Sequence, residues 1–360
     1  MTVSLMRVAG YRSIRKADIE LSRITLITGA NGSGKSNLHR ALLLLASSVI
    51  GQLARNIADE GGMPSVLWAG ERTKGPVRMT IAARLGEFGY ELSVGLPAPS
   101  ESAFRLDPAI KEERVTFHDG DRNVELLKRD GPCVYVRDSD GRRVLHGSSF
   151  RSSESAVSQI REPHLFPELT ALRMEVENWR FYHHFPTEPT APARSPQTGI
   201  QTPSLSSDGS DLAAALQTIF EIGNYPSVRK AVDDMIPGAD LEVEVDDCCR
   251  MAVQLRVPWM RRPLSAAELS DGTLRYLYLL TALHSPRPPA FIALNEPEMS
   301  LHPDLLDPLA RMIASASTQS QVWVVTHSDQ LARGIAASAQ CTWARLELVG
   351  GETRIREQHS

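Results

Sequence analysis

Residues 24–37 read ITLITGANGSGKSN, a run of branched apolar residues that passes through a glycine-rich turn. The apolar run predicts a buried strand, and leucines at a helical period in residues 37–50 predict a helix after the turn. Within the turn, GANGSGKS (residues 29–36) fits the pattern G-x-x-x-x-G-K-S in full. The strand, turn and helix together predict a phosphate-binding loop in an α/β fold.

The residue types in this loop are those that phosphate binding requires. Glycines let the backbone wrap closely, so that successive amide N–H groups point at one anion. The helix that starts near Lys35 presents the positive end of its dipole to the same oxygens. Lys35 adds a charge at the β- and γ-phosphates, and the Ser36 hydroxyl is suited to ligate Mg²⁺. We therefore expect ATP and Mg²⁺ as cofactors.

Composition limits the class of protein and its partners. With 360 residues and 42% hydrophobic content, the chain can build one large core or two smaller ones. A net charge of −4 provides no general attraction for nucleic acid. The longest apolar run, residues 41–50, is too short to span a bilayer, and MTVSLMRVAG at the N-terminus lacks the apolar segment of a signal peptide. We expect a cytoplasmic protein with no membrane partner.

The middle of the chain has a different pattern. Alternating apolar residues predict a β-hairpin and then an antiparallel β-rich insertion, and a Pro, Ser, Thr and Gly-rich stretch at residues 186–211 predicts a long flexible surface loop. We expect three parts: an N-terminal lobe with the phosphate-binding loop and hairpin (1–100), the β-rich insertion with the flexible loop (101–211), and a C-terminal lobe (212–360).

A second candidate motif follows the apolar residues 291–294, which predict another buried strand. The next residues are NEPE, at the carboxyl end of that strand, where a bound phosphate would lie. Glu296 is placed to orient or polarise an attacking water. Asn295 stands where an aspartate would normally hold Mg²⁺ through water. Because an amide accepts a hydrogen bond but carries no charge, Asn295 predicts weaker Mg²⁺ binding and slow hydrolysis.

Two further segments fit the same chemistry. Residues 321–326 predict a buried strand that ends at His327, and a histidine at that edge can hydrogen-bond a γ-phosphate. Upstream of Asn295, ELSDGTLR places Ser270 and Gly272 just before a predicted helix at residues 274–283. A Ser-x-Gly turn at a helix N-terminus is a second candidate anion site.

These motifs, in this order, resemble the ABC-type ATPase heads of the SMC, RecF and OLD kind, the RecF-like AAA-family predicted ATPases. The resemblance rests on residues 6–37, which are similar to the opening strands and Walker A loop, and on ELSDGT, FIALNEPEMSLHP and VVTHS, which are similar to the signature, Walker B with D-loop, and switch histidine. It implies an α/β P-loop NTPase with ABC-type head architecture, in which helices flank a mixed β-sheet, plus the antiparallel β-rich insertion.

The resemblance also implies roles for individual residues. Glu296, His327 and Lys35 would be catalytic. Ser36, Asn295 and Gln159 would serve the metal site, Gln159 as the Q-loop glutamine. Residues 301–303 would lie at a dimer interface. The nucleotide would contact Gly29, Ala30, Asn31, Gly32, Ser33, Gly34, Lys35, Ser36, Asn37, Arg12 and, from a second subunit, Ser270 and Gly272.

The implied function is an ATPase that forms an ATP-dependent homodimer, two heads sandwiching ATP, in DNA repair, genome maintenance or anti-phage defence. Candidate partners are DNA and a nuclease or other effector protein. Asn295 keeps open a slow or non-hydrolysing ATP-dependent switch or scaffold that regulates an effector. The β-rich insertion and ELSDGT argue against an ABC transporter subunit, and the short stretch after His327 argues against an OLD-type nuclease. Basic clusters that could touch DNA, or be only solvated surface charge, are Arg72/Lys74/Arg78, Arg142/Arg143 and Arg261/Arg262.

Overall fold

The computed structural model describes residues 1–71, 75–99, 101–120, 122–138 and 141–359, so that Arg72 and Lys74 of the first basic cluster lie outside the described residues. The strands are β1 (Val3–Tyr11), β2 (Ile14–Glu20), β3 (Ile24–Gly29), β4 (Arg78–Leu85), β5 (Phe88–Gly95), β6 (Ala109–Asp119), β7 (Arg122–Asp130), β8 (Cys133–Arg137), β9 (Arg143–Leu145), β10 (Arg180–Tyr182), β11 (Gln197–Thr198), β12 (Asp240–Val245), β13 (Arg250–Arg256), β14 (Leu264–Ser265), β15 (Phe291–Asn295), β16 (Gln321–Val325), β17 (Thr342–Val349) and β18 (Glu352–His359). The α-helices are α1 (Lys35–Val49), α2 (Leu53–Asp59), α3 (Met63–Val66), α4 (Ala156–Gln159), α5 (Pro167–Glu177), α6 (Leu212–Ile222), α7 (Tyr225–Met235), α8 (Asp271–Leu283), α9 (Leu306–Ala316) and α10 (Asp329–Ser338).

The chain folds into two compact units, each made of segments that are not consecutive in the sequence. The first unit contains Met1–Ser22, Gly29–Trp179 and Thr342–His359, and the second contains Arg23–Thr28 and Arg180–Cys341. The strand β3 therefore belongs to the second unit up to Thr28, whereas Gly29 and the rest of the glycine-rich turn belong to the first. The three-part division at residues 100 and 211 stays a prediction.

The first unit is built on an antiparallel sheet with the strand order β2-β1-β4-β5-β6-β7-β8-β9. The predicted hairpin is confirmed as β4 and β5, and the predicted antiparallel pairing of the middle segment is confirmed in β6 to β9. The strand β7 was not predicted, because RNVELLKRD mixes charges into both faces and lacks a clean alternation. The helix α1 packs on β1 and β4 through a buried side that includes Leu38, Leu42 and Leu45.

The second unit contains a parallel sheet in which β10, β15, β16 and β3 lie side by side. Every residue of β15 and β16 is buried, as expected for parallel strands with both faces covered. Asn295 pairs with Val325, and Val325 pairs with Ile27, so β15, β16 and β3 end at the same edge of the sheet. The predictions of buried strands at residues 291–294 and 321–326 are confirmed.

The segment at residues 186–211 also belongs to the second unit. It contains a 3₁₀ turn at Pro192–Arg194 and the strand β11, which pairs with β13. Ala191 and Leu205 are buried, and the Tyr182 hydroxyl donates to the Leu205 carbonyl at 2.9 Å. The flexibility of this segment stays a prediction, while its contacts give it a defined place in the second unit.

None of the helices in the described ranges combines the length and the apolar character needed to cross a membrane.

Candidate functional site

The glycine-rich turn of the first unit begins where β3 ends and continues into α1. Gly34 caps α1 in the left-handed region at φ 99°, which favours glycine. A Cβ on Gly34 would lie 2.0 Å from Thr353 Oγ1, and a Cβ on Gly29 would lie 2.5 Å from the Leu346 carbonyl oxygen. A side chain at either position would collide with a neighbouring residue, so glycine is required at both. The two neighbours, Leu346 and Thr353, belong to the β17–β18 hairpin.

Lys35 is held over this turn although its side chain is charged. The residue is only 4% exposed, and Nζ donates to the carbonyl oxygens of Gly29 at 2.8 Å and Ala30 at 3.1 Å. The first amides of α1 have no intrahelical acceptor and add the positive end of the helix dipole. Ser33 Oγ is buried and has no hydrogen-bond partner among the described residues. A glycine cradle with buried polar donors and a buried ammonium fits the phosphates of a nucleotide.

Asn37 joins the first turn of α1 to two other parts of the first unit. Its Nδ2 donates to Ser13 Oγ at 2.8 Å, and Ser13 Oγ lies 2.7 Å from Thr353 Oγ1. The Thr353 amide donates to the Ser13 carbonyl at 2.7 Å. These bonds support the first turn of α1, and no role was predicted for Ser13 or Thr353. The roles of Asn37 and Ser36 toward nucleotide and Mg²⁺ stay predictions.

Arg12 lies at the end of β1 in a left-handed conformation at φ 47°. Its guanidinium pairs with Glu60 at 2.5 Å, and the Tyr11 hydroxyl donates to the same carboxylate at 2.7 Å. Burial, followed by the charge of Glu60, raises the pKa of Tyr11, so the hydroxyl stays protonated and keeps donating. Contact between Arg12 and a nucleotide stays a prediction.

Gln159, the candidate Q-loop residue, ends the short helix α4. Its Nε2 donates to the carbonyls of Glu154 at 3.0 Å and Ser155 at 3.2 Å, and its Oε1 accepts from the Arg151 amide at 3.0 Å. The Gln159 carboxamide therefore hydrogen-bonds to backbone groups of residues 151–155, just before α4. To serve a metal, as predicted, Oε1 would have to share or give up the bond to Arg151.

The end of β15 carries the predicted catalytic carboxylate. Asn295 is 3% exposed, and its Oδ1 has no hydrogen-bond partner among the described residues. Glu296 adopts the left-handed region at φ 48°, which costs a non-glycine residue about 1–3 kcal/mol. Two bonds hold it there: its amide donates to Val325 O at 2.7 Å, and its carbonyl accepts from Arg275 at 3.1 Å. A strained residue beside an unused buried acceptor is typical of a functional site.

Glu298 is the residue of this edge that the motif analysis missed. Its side chain is 5% exposed and lies against the residues after β16, where Oε1 accepts from the Thr326 hydroxyl at 2.6 Å and the His327 amide at 2.9 Å. His327 Nδ1 lies 3.1 Å from the same oxygen, and the His327 side chain is 49% exposed. The second glutamate of NEPE was the signal available in the sequence.

Arg275 connects this edge to the helix α8. The residue is buried, and burial lowers the pKa of its guanidinium while the charges of Glu298 and Glu296 oppose that effect. Its bond to the Glu296 carbonyl therefore comes from a group that the two carboxylates help to keep charged.

The predicted signature turn lies at the start of α8. Ser270 is the N-cap of this helix, and its exposed hydroxyl accepts from the Thr273 amide at 3.1 Å. A Cβ on Gly272 would lie 2.5 Å from the carbonyl oxygen of Ser300, which itself has a left-handed φ of 63°. The second unit thus packs the signature turn directly on the residues that follow Glu298. The predicted contacts of Ser270 and Gly272 with a partner's ATP stay predictions.

Arg194 fixes the other side of the signature turn. Its side chain is 8% exposed and donates to the carbonyls of Thr187 at 2.8 Å, Ala266 at 3.0 Å and Leu269 at 2.8 Å. It also pairs with Asp271 at 2.8 Å. One guanidinium therefore ties the segment at residues 186–211 to the turn that precedes α8. Sequence analysis did not find Arg194, because no local pattern marks it.

Replacing Arg194 by alanine is expected to lower the free energy of unfolding by about 3 kcal/mol, since buried carbonyls of Ala266 and Leu269 lose their donor. Urea denaturation followed by circular dichroism measures this change. The matched control is Arg256→Ala, whose exposed pair with Glu242 should leave the free energy of unfolding nearly unchanged. Equal losses in both variants would contradict the assigned role of Arg194.

The described members of the basic clusters mostly have partners in the structure. Arg78 pairs with Glu112 at 2.6 Å, Arg262 pairs with Glu268 at 2.7 Å, and the Arg143 guanidinium lies over the Tyr135 ring at 4.3 Å. Such surface pairs are compatible with solvated charge, and a DNA contact stays a prediction.

The predicted dimer segment at residues 301–303 runs into a 3₁₀ turn at Pro303–Leu305. His302 is exposed, and its Nδ1 lies 3.3 Å from a carboxylate oxygen of Asp304. Its place at an interface stays a prediction.

The family comparison covers most of the chain. The family described as "AAA domain, putative AbiEii toxin, Type IV TA system" matches residues 24–333. The chain belongs to this family. The match runs from β3 to α10 and therefore includes the glycine-rich turn, the signature turn, the NEPE segment and His327. A comparison with curated proteins finds no significant match.

Solved structures with a similar fold are heads of Smc proteins. An Smc head bound to the C-winged helix domain of ScpA matches with a TM-score of 0.58 and 17% identity, covering 100% of this chain and 98% of that chain. An Smc head with an extended coiled coil, bound to the C-terminal domain of ScpA and derived from Pyrococcus furiosus, matches with a TM-score of 0.55 and 14% identity, covering 99% and 96%. The family and the fold together confirm an ABC-type ATPase head of the P-loop class.

Proposed function

We propose that this protein is an ATPase that forms a homodimer around ATP and couples the nucleotide state to a partner effector. The observation that carries the proposal is the shared edge of the parallel sheet in the second unit. There β15 ends at Asn295, β16 ends before His327, and β3 continues into residues 29–36. In parallel sheets, the carboxyl ends of the strands are where ligands bind.

Each residue of the proposed site would have a specific role. The amides of residues 29–36 and Lys35 would hold the phosphates, with further contacts from Asn37 and Arg12. Ser36 would ligate Mg²⁺, and Asn295 Oδ1 fits as the acceptor of a hydrogen bond from a metal-bound water, since it is buried and has no partner among the described residues. Bound Mg²⁺ supplies positive charge that offsets the charge of the phosphates. Glu296 would orient the attacking water, and His327 would contact the γ-phosphate.

Asn295 favours a second form of the same function. An amide at this buried position cannot supply the negative charge of an aspartate, so hydrolysis would be slow and the ATP-bound dimer long-lived. In that case the protein acts as an ATP-dependent switch or scaffold. Turnover measured with and without DNA separates the two forms, because stimulation by DNA favours genome maintenance and turnover absent under all conditions favours the switch.

The family description supports a role beside an effector. It refers to a toxin of a toxin–antitoxin system, and the Smc heads of similar fold are bound to domains of ScpA. We therefore propose a cytoplasmic role in anti-phage defence or DNA maintenance, with a nuclease or another effector as partner and DNA as a further candidate.

The composite site predicts that two inactive variants restore each other. Lys35→Ala should inactivate the phosphate-binding loop, and Ser270→Arg should fill the approach to the N-terminus of α8. Either variant alone has no complete site, whereas a mixed dimer has one. With random pairing, an equimolar mixture should recover about one quarter of wild-type turnover.

Turnover and light scattering with ATP measure the recovery and the dimer in the same sample. A mixture that is no more active than the two variants measured separately would contradict a site shared between subunits. A mixture of Lys35→Ala with wild-type chain at the same total concentration controls for dilution of active sites.

A further inference from the structure

The hydrogen-bond donors to the Glu298 carboxylate all contact the same one of its two oxygens. Oε1 accepts from the Thr326 hydroxyl at 2.6 Å, the His327 amide at 2.9 Å and the Ser328 amide at 3.2 Å, and His327 Nδ1 lies 3.1 Å away. The second oxygen, Oε2, is buried and has no partner among the described residues. Four polar groups around one buried oxygen call for the negative charge of a carboxylate, since charge-assisted bonds are roughly twice as strong as neutral ones.

The contact with His327 determines which ring nitrogen carries a proton. At 3.1 Å from a carboxylate that can only accept, a protonated Nδ1 is attracted to the negative oxygen, whereas an unprotonated Nδ1 would place its lone pair against it. In a neutral imidazole the other nitrogen, Nε2, is then left without a proton. Because the His327 side chain is 49% exposed while Glu298 is 5% exposed, the pair has a buried end that fixes the ring and an open end that is available to a ligand.

We propose that Glu298 is a positioning residue that holds His327 in the Nδ1–H tautomer and keeps Nε2 in one orientation for ATP. The role of His327 toward ATP rests on the proposed function, but the tautomer does not. Glu298 acts through His327 and the residues after β16, while Glu296 is the residue proposed to orient the attacking water. The two glutamates of NEPE therefore have different proposed roles: Glu296 acts in the chemistry, and Glu298 supports His327.

The direct test is ¹⁵N NMR of the full chain labelled at histidine. His327→Asn identifies the His327 signals by their loss. In the wild type we expect Nδ1 to show the shift of a protonated nitrogen and Nε2 that of an unprotonated one. An Nε2–H tautomer in the wild type would overturn the proposal, and this measurement needs no folded variant other than the assignment control.

Variants of the two partners separate positioning from general support of the loop. Glu298→Gln keeps the shape and an acceptor but removes the charge, so the Nδ1–H tautomer should lose its dominance and turnover should fall about 10- to 100-fold, with ATP affinity unchanged. Thr326→Val is the matched control, because it removes one donor to Oε1 and leaves Nδ1 untouched. It should keep the wild-type tautomer, whereas Glu298→Gln should not.

The outcomes distinguish this inference from the proposed function. A Glu298→Gln variant with the wild-type tautomer, or a Thr326→Val variant with an equal change of tautomer, would overturn the positioning role. A wild-type chain with the Nδ1–H tautomer but no turnover under any condition would instead overturn hydrolysis and leave the assignment of the tautomer standing.

Discussion

Replacing Lys35 by alanine is expected to weaken ATP binding about 100-fold, the largest effect on affinity expected of a single substitution in this chain. The physical reason is the loss of a buried ammonium among phosphate oxygens, where charge-assisted hydrogen bonds contribute about 1.5–3 kcal/mol each. A loss of about 2.8 kcal/mol corresponds to 100-fold in the dissociation constant. The same ammonium donates to the Gly29 and Ala30 carbonyls, so the turn also loses an internal support.

Fluorescence titration with a labelled, non-hydrolysable ATP analogue measures the affinity of the Lys35→Ala variant. Circular dichroism of the same sample establishes that it is folded. Lys230→Ala is the matched control, because Lys230 is an exposed lysine of α7 and its loss should leave the affinity unchanged. A Lys35→Ala variant that binds the analogue as tightly as the wild type would contradict the assignment of residues 29–36 as the phosphate-binding loop.

Replacing Glu296 by glutamine is expected to lower turnover at least about 100-fold and to leave ATP binding intact. A positioned general base contributes typically 10²- to 10⁴-fold, and glutamine keeps the shape of glutamate without its basicity. The backbone bonds to Val325 and Arg275 hold the left-handed conformation and do not involve the carboxylate. The substitution should therefore remove the chemistry and preserve the fold around it.

The second expected result with Glu296→Gln is accumulation of an ATP-bound dimer, since the step that releases the two subunits is slowed. Size-exclusion chromatography with light scattering, at saturating ATP, measures the dimer. Glu221→Gln on α6 is the matched control, because that carboxylate is exposed and should change neither turnover nor assembly. A Glu296→Gln variant that stays monomeric at saturating ATP would refute the proposed dimer.

Most of the nucleotide-binding elements could be predicted because their signals are local. The glycine-rich turn needs particular backbone conformations over eight consecutive residues, and no distant contact is required to recognise it. The strands β15 and β16 are runs of apolar residues, as parallel strands buried on both faces must be. The strand β7 and the β17–β18 hairpin escaped prediction, since their charged residues and short apolar stretches give no clear period.

The supporting residues could not be predicted, because they act on parts of the chain far away in sequence. Ser13 meets Thr353 across 340 residues, and Arg194 reaches the Leu269 carbonyl across 75 residues. An arginine, a serine or a threonine in a polar segment carries no periodicity that announces such a contact. The same holds for the bond between Glu298 and Thr326, which exists only because β15 and β16 end at one edge of the sheet.

The residues proposed for the chemistry were therefore identified from the amino-acid sequence alone, since phosphate, metal and water each demand particular side chains at short spacings. The order of Gly29, Ser270, Glu296 and His327 along the chain was enough to indicate the class of ATPase head. How those residues are held was decided by the tertiary structure, because burial creates the need for partners. Lys35, Arg194 and Glu298 are all buried and charged or strongly polar, and only the folded chain brings each of them its acceptors or donors.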